Sequence, residues 1–151
     1  LNTVDEAELM RVLWTYGEEK FGRRITRAIM EHRPHSTTAG LAAVIAAVVP
    51  KSKDTARIHP ATRSFQAIRI AVNEELTVLE RVLPQAFSVL KTGGRLVVMS
   101  FHSLEDRIVK QYMRALAQPV VKLIGKAVRG EDVDKGNPRA RSAVLRVMEK
   151  L

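Results

Sequence analysis

The chain has 151 residues and a mass of 16.9 kDa, enough for one domain with a sizeable core or for part of a larger one. Lys and Arg number 25 against 16 Asp and Glu, a formal charge of +9, and 46% of the residues are hydrophobic, which excludes a disordered chain. The absence of cysteine excludes disulfides, thiolate zinc sites and a cysteine nucleophile and suits a reducing cytoplasm, while the basic balance favours a polyanion such as nucleic acid or an anionic membrane surface.

From the N-terminus, Leu9, Val12, Leu13 and Tyr16 fall on one helical face between Asp5 and Tyr16, and Gly17 follows where a helix would end. A second amphipathic helix starts near Glu18 with Phe21, Ile25, Ala28 and Ile29 together, and Pro34 forbids its continuation. Thr37 or Thr38 caps a third, carrying Leu41, Ile45 and Val48, which Pro50 ends. These three form a small helical subdomain, residues 1–50. The apolar part of this stretch, Leu41 to Val49, is far short of the roughly 20 residues that a bilayer needs, so no membrane span is expected.

Residues 51–58 are polar and without periodicity, a linker. Phe65, Ile68, Val72, Leu76, Leu79 and Leu83 then give the strongest helical pattern in the chain, and Pro84 opens a new short helix that Gly93-Gly94 breaks. The continuous apolar run Leu96, Val97, Val98, Met99 has the profile of a strand buried on both faces, hence parallel and covered by helices. Ser103 and Asp106 read as a capping box that opens a helix with Leu104, Ile108, Tyr112 and Leu116 on one side. Residues 120–126 and 143–149 are rich in β-branched side chains and read as a final antiparallel pair. Helix, strand, helix is the α/β alternation.

The charge is uneven. Residues 1–33 carry six basic and six acidic side chains, residues 34–73 five and one, and residues 74–151 fourteen and nine. This concentrates anion binding on Lys51, Lys53, Arg57, Arg63 and Arg69, with Arg139 and Arg141 as a second patch.

In open α/β sheets ligands bind beyond the carboxyl ends of strands, at helix N-termini, and Ser100, His102 and Ser103 stand at such a turn. The bland alternative is an N-cap at Ser103 and a loop histidine. His59-Pro60-Ala61-Thr62-Arg63 pairs an imidazole with a guanidinium suited to phosphate, or else is a Pro-stiffened turn with Thr62 as N-cap. Glu105 and Asp106 diverge by roughly 100° on a helix, so they do not converge for acid/base chemistry. His32 and His35 lack companions at metal spacing, and no metal site is expected. Trp14 and Tyr16 are core or subunit-contact residues in preference to base-stacking ones. Asn137 to Ser142 is a turn with two guanidiniums, or simply a solvated loop. No Gly-rich phosphate loop and no hydrolase elbow occur.

Four blocks carry a resemblance: YGEEKFGRRITRAI (16–29), HPATRSFQAIRIAVNEEL (59–76), GGRLVVMSFHSLEDRIVK (93–110) and NPRARSAVLRV (137–147). In this order they resemble the bacterial 16S ribosomal RNA cytosine-N4 methyltransferase family (RsmH, also called MraW). The resemblance implies the second half of a class I, Rossmann-like methyltransferase sheet over residues 59–151, with residues 1–50 in its inserted helical domain. It implies S-adenosylmethionine as cofactor and a cytidine of 16S rRNA, within the small ribosomal subunit, as target, in the cytoplasm and away from membranes. Members are about twice this length and hold their cofactor contacts in the N-terminal half, so no cofactor residue is carried over and the chain alone is expected to be inactive. The stretch from Leu116 to Asn137 is shorter than the family pattern, with a break in continuity near Gln118 as one explanation.

The contributory residues expected are Ser100, His102 and Ser103 shaping the target pocket, and His59, Arg63, Arg69, Arg139 and Arg141 on the RNA. A noncatalytic basic RNA-binding module is one alternative. The other is a helical self-association domain using Trp14 and Tyr16, in line with a possible homodimer.

Overall fold

The computed structural model describes residues 1–50, 58–116 and 119–151, and these form two compact units, Leu1–Glu74 and Glu75–Leu151. The expected linker, with Lys51, Lys53 and Arg57, lies almost wholly outside the described residues, as does the question of continuity near Gln118.

The first unit is helical: α1 (Glu6–Gly17), α2 (Gly22–Glu31), α3 (Thr38–Val48) and α4 (Thr62–Asn73). Asp5 caps α1 by accepting the Glu8 N–H at 2.8 Å, and Thr37 caps α3 by accepting that of Gly40 at 3.1 Å. Leu9, Leu13, Ile25, Ile29, Leu41 and Ile45, all buried, are the apolar stripes of the first three helices turned onto one another. Ala67 brings α4 onto the same core. Gly17 permits the close crossing of α1 and α4, since a Cβ there would stand 3.0 Å from the Arg63 carbonyl oxygen and 3.2 Å from the Ala67 Cβ.

The second unit contains α5 (Glu75–Ser88), β1 (Arg95–Ser100), α6 (Ser103–Ala115), β2 (Val121–Leu123), β3 (Val128–Arg129), the single turn α7 (Gly130–Val133) and β4 (Val144–Lys150). β4 is the centre of the sheet: β1 and β2 flank it, β3 also pairs with it, and every pairing is antiparallel. The expected pair of residues 120–126 and 143–149 is thus present as β2 against β4. Leu83, Val109, Met113, Val121 and Met148 form the core, with Leu79, Phe87, Leu96 and Val98 packed against it. Helices and sheet together place the chain in the α/β class.

Three expectations need correction. The apolar run of β1 is not buried on both faces. Leu96 and Val98 face the helices, whereas Val97 and Met99 are 56% and 54% exposed, the one-sided alternation that an antiparallel strand shows. The pattern from Phe65 to Leu83 is two helices, because Glu74 takes a left-handed conformation (φ 51°) that ends α4 and lets α5 begin at once. Pro84 starts no helix but lies within α5, where packing of Leu79, Leu83 and Phe87 outweighs the one hydrogen bond that proline cannot give.

Candidate functional site

The turn from β1 into α6 is fixed by a reciprocal cap. His102, in extended conformation, accepts the Glu105 N–H on Nδ1 at 3.4 Å, and Glu105 Oε2 accepts the N–H groups of Phe101 at 2.7 Å and His102 at 3.3 Å. The capping box is therefore His102 with Glu105, one residue earlier than the Ser103 and Asp106 expected from sequence. Histidine is a rare cap, and the Ser/Thr rule looked past it.

This cap has chemical consequences. Glu105 takes up the amides of Phe101 and His102 just ahead of α6, and its own N–H is taken up by His102. Glu75, His102 and Glu105 each bring a potential ligand atom within 4.8 Å of the others. Nδ1 is taken up by the cap, while Nε2, 3.3 Å from Glu105 Oε1, is buried and makes no hydrogen bond among the described residues. Ser100, buried at the end of β1, and the exposed Ser103 flank this cap.

Along β1 the alternation sends Met99 and Phe101 to the opposite side from Ser100. They meet Val128, Val133 and Leu145 as the apolar walls of a cavity of about 360 Å³. Asp134, Asn137 and Arg139 supply its polar lining. The loop behind it is held by backbone hydrogen bonds from Gly130 to the Ala143 carbonyl at 2.8 Å and from Ala143 to that of Ala140 at 2.9 Å. Gly130 has no room for a side chain, because a Cβ there would run into the Ala140 carbonyl oxygen. Asn137 Oδ1 accepts the Arg139 N–H at 3.0 Å, an Asx turn that sets the course of the chain beside the cavity.

Of the residues singled out from sequence, the cavity contains Arg139; Ser100, His102 and Ser103 build the turn that presents Phe101 to it, and the exposed Arg141 follows in the same loop. His59, Arg63 and Arg69 belong to the first unit, all exposed; His59 Nδ1 accepts the Ala61 N–H at 3.2 Å, and Ala61, not Thr62, stands at the N-cap of α4. His32 and His35 bond the carbonyls of Ala28 and Ile29 at 2.9 and 2.8 Å. Trp14 is half-exposed over Gly22, and Tyr16 packs on the helical core. Sequence reasoning missed Met99, Phe101, Val128, Val133 and Leu145 as cavity walls. The alternation of Val97, Met99 and Phe101 with Ser100 and His102 was the available clue.

A profile of the MraW methylase family matches residues 1–151, the whole chain. Among curated relatives, the ribosomal RNA small subunit methyltransferase H of Stenotrophomonas maltophilia (strain K279a) is 54% identical over 99% of this chain and 52% of its own length. The protein of that name from Xylella fastidiosa (strain M12) is 52% identical over 100% of this chain and 55% of its own. That of Dehalococcoides mccartyi is 50% identical, over 100% and 48%. The chain thus spans about half the length of the relatives it matches.

Proposed function

The chain belongs to the MraW methylase family, and we propose on that premise that it is part of an S-adenosylmethionine-dependent enzyme that methylates the N4 amine of a cytidine in 16S rRNA of the small ribosomal subunit. In this reading residues 59–151 are the second half of a Rossmann-like methyltransferase sheet, residues 1–50 lie in its helical insertion and 51–58 link the two. The protein works in the cytoplasm, with a homodimer as a further possibility for the whole enzyme.

The observation that carries the proposal is the cavity at the end of β1. It is of a size for one base, its walls are apolar, and Phe101 offers a ring on which a cytosine can stack. An unstacked base reaches such a pocket only after leaving its helix, and an apolar wall recovers part of that cost. Asp134 offers a carboxylate that can accept a hydrogen bond from an exocyclic amine, and Arg139 places a guanidinium where a backbone phosphate would follow. Ser100, His102 and Ser103 hold the turn, Arg141 extends the basic rim, and His59, Arg63 and Arg69 are assigned to the RNA backbone.

The methyl donor supplies an electrophilic carbon, and the chemistry is then a matter of positioning. The residues described here do not form its cradle. The sequence has no Gly-rich loop after a strand. No catalytic step is therefore derived through the donor, and the chain by itself is expected not to turn over.

The test is a nuclear magnetic resonance titration of this chain with cytidine 5′-monophosphate. Shifts confined to Met99, Phe101, Val133, Arg139 and Leu145, lost in Phe101→Ala, are the expected result. Shifts elsewhere, or none at millimolar nucleotide, would sink the pocket assignment.

A further inference from the structure

A second cavity, of about 260 Å³, lies between α6, the β2–β3 turn and β4. Its charged lining is wholly basic: Lys110 and Arg114 from α6, Lys126 from the turn and Arg146 from β4, with no carboxylate among the lining residues. Arg146 is held by Asp106 through Nε and Nη2, which neutralises its charge and fixes its plane. Lys110, Arg114 and Lys126 have no ion pair among the described residues. Lys110 and Arg114 are one helical turn apart, where like charges repel, and Lys126 adds a third positive charge to the same hollow. A protein surface normally intersperses signs. Lys110 also acts on the Asp106 carboxylate one turn earlier, but that carboxylate is already held by Arg146, and the excess of positive charge around a concave site is an arrangement that an anion relieves.

Nothing aromatic lines this cavity; the buried Met113 and Leu123, Ile124, Gly125, Ala127 and Val147 complete its lining. It therefore offers charge without a platform for a base.

We infer that Lys110, Arg114 and Lys126 form a subsite for the phosphodiester backbone of the RNA strand, one that positions the strand and does not read its sequence. The inference rests on the reading of the substrate as RNA and assigns to it a surface separate from the base cavity. Backbone phosphates and free inorganic phosphates share this chemistry, and the experiment separates them.

The probe is a fluorescein-labelled 15-nucleotide oligouridine, its binding to the 151-residue chain followed by anisotropy from 50 to 200 mM KCl without any methyl donor. Neutralising the three cations together (Lys110→Gln, Arg114→Gln, Lys126→Gln) is expected to weaken binding at least roughly tenfold at 50 mM salt and to flatten the log–log salt slope by about two, at about 0.7 per single-strand contact. The charge-keeping pair Lys110→Arg with Lys126→Arg retains the wild-type slope, which separates lost charge from lost fold. Three exposed cations of the first unit (Lys20→Gln, Arg23→Gln, Arg24→Gln) serve as the control for net charge and are expected to change affinity much less.

Equal losses from both triple variants, an unchanged slope in the cavity variant, or no binding of oligouridine by the wild type would each overturn the subsite. Displacement of the probe by pyrophosphate at the concentrations at which the oligonucleotide itself binds would make it a small-anion site and overturn the strand assignment. These readouts involve no methyl transfer. An intact subsite in a protein that methylates no cytidine would overturn the proposed function alone, and methylation with an indifferent cavity would overturn the subsite alone.

Discussion

Arg146 on β4 grips Asp106 in the first turn of α6 through two parallel hydrogen bonds, Nε to Oδ1 at 2.7 Å and Nη2 to Oδ2 at 2.9 Å, with both side chains 22% exposed. The pair ties the sheet to the helix that borders the basic cavity. The Arg146 guanidinium holds the Asp106 carboxyl below the usual carboxylate range, against a smaller opposing effect of burial. A carboxyl whose folded pKa is depressed stabilises the fold above its unfolded value of about 3.9, and that stabilisation disappears as pH falls through the lower folded value. Asp106→Asn is therefore expected to lose about 1 to 2 kcal/mol at pH 7. In urea titrations the gap between wild type and variant narrows as pH falls below the ordinary carboxylate range; a gap that stays constant with pH contradicts the assignment.

The reciprocal cap of α6 predicts a graded response. His102→Ala removes the acceptor for the Glu105 N–H and is expected to lower stability by about 1 kcal/mol, while His102→Asn, a good N-cap residue, retains most of it. Glu105→Gln keeps an acceptor for the Phe101 and His102 amides and is the milder change at that position. Thermal unfolding of the three variants gives the order, and a His102→Ala protein as stable as wild type would argue against the cap.

How far this site was legible in the sequence depended on the kind of rule involved. Asp5 and Thr37 are conventional caps, and the helices they open are where the apolar spacing of Leu9 and Leu13, or Leu41 and Ile45, puts them. The pairing of residues 143–149 with 120–126 followed from β-branched composition. The capping box slipped by one residue because a histidine supplies the side-chain acceptor. The helix break at Glu74 was hidden because a positive φ at a non-glycine residue leaves no mark in composition. The cavity was hidden behind an apolar run: Val97 and Met99 read as core until their strand proved to be covered on one face only. Arg139 was found because two guanidiniums in a Pro-containing turn are conspicuous, whereas Lys126 and Arg114, scattered singly, were not.

Gly130 tests the packing of the loop beside the cavity that Met99 and Phe101 wall. Gly130→Ala drives a methyl group into the Ala140 carbonyl and must displace the 130–143 loop, at an expected cost of about 1 to 3 kcal/mol. Gly136→Ala, in the same loop but with its nearest such neighbour at 3.8 Å, serves as the tolerant control. Chemical denaturation that ranks the two equally would refute the close approach at Gly130.

The first unit makes a prediction of its own. Leu13 and Ile25 are completely buried at the α1–α2 contact, and truncation of either to alanine is expected to cost about 2 to 5 kcal/mol. Trp14, adjacent in sequence but 48% exposed, should cost far less on truncation. If Trp14→Ala also lowers the mass measured by sedimentation at high concentration, this helix is a subunit contact; an unchanged mass assigns the ring to packing over Gly22 alone.

The central claim, that this chain completes an enzyme acting on a cytidine of 16S rRNA, is tested most directly by methyl transfer. The chain is fused behind the N-terminal half of the Stenotrophomonas relative, the fusion is shown to bind S-adenosylmethionine, and small-subunit particles are treated with it and the isotopically labelled donor. Mass analysis of the nucleosides should find the label in N4-methylcytidine of the 16S rRNA, with Phe101→Ala and Arg139→Gln reducing it. A fusion that binds the donor yet labels no cytidine, or labels another nucleoside, would contradict the account.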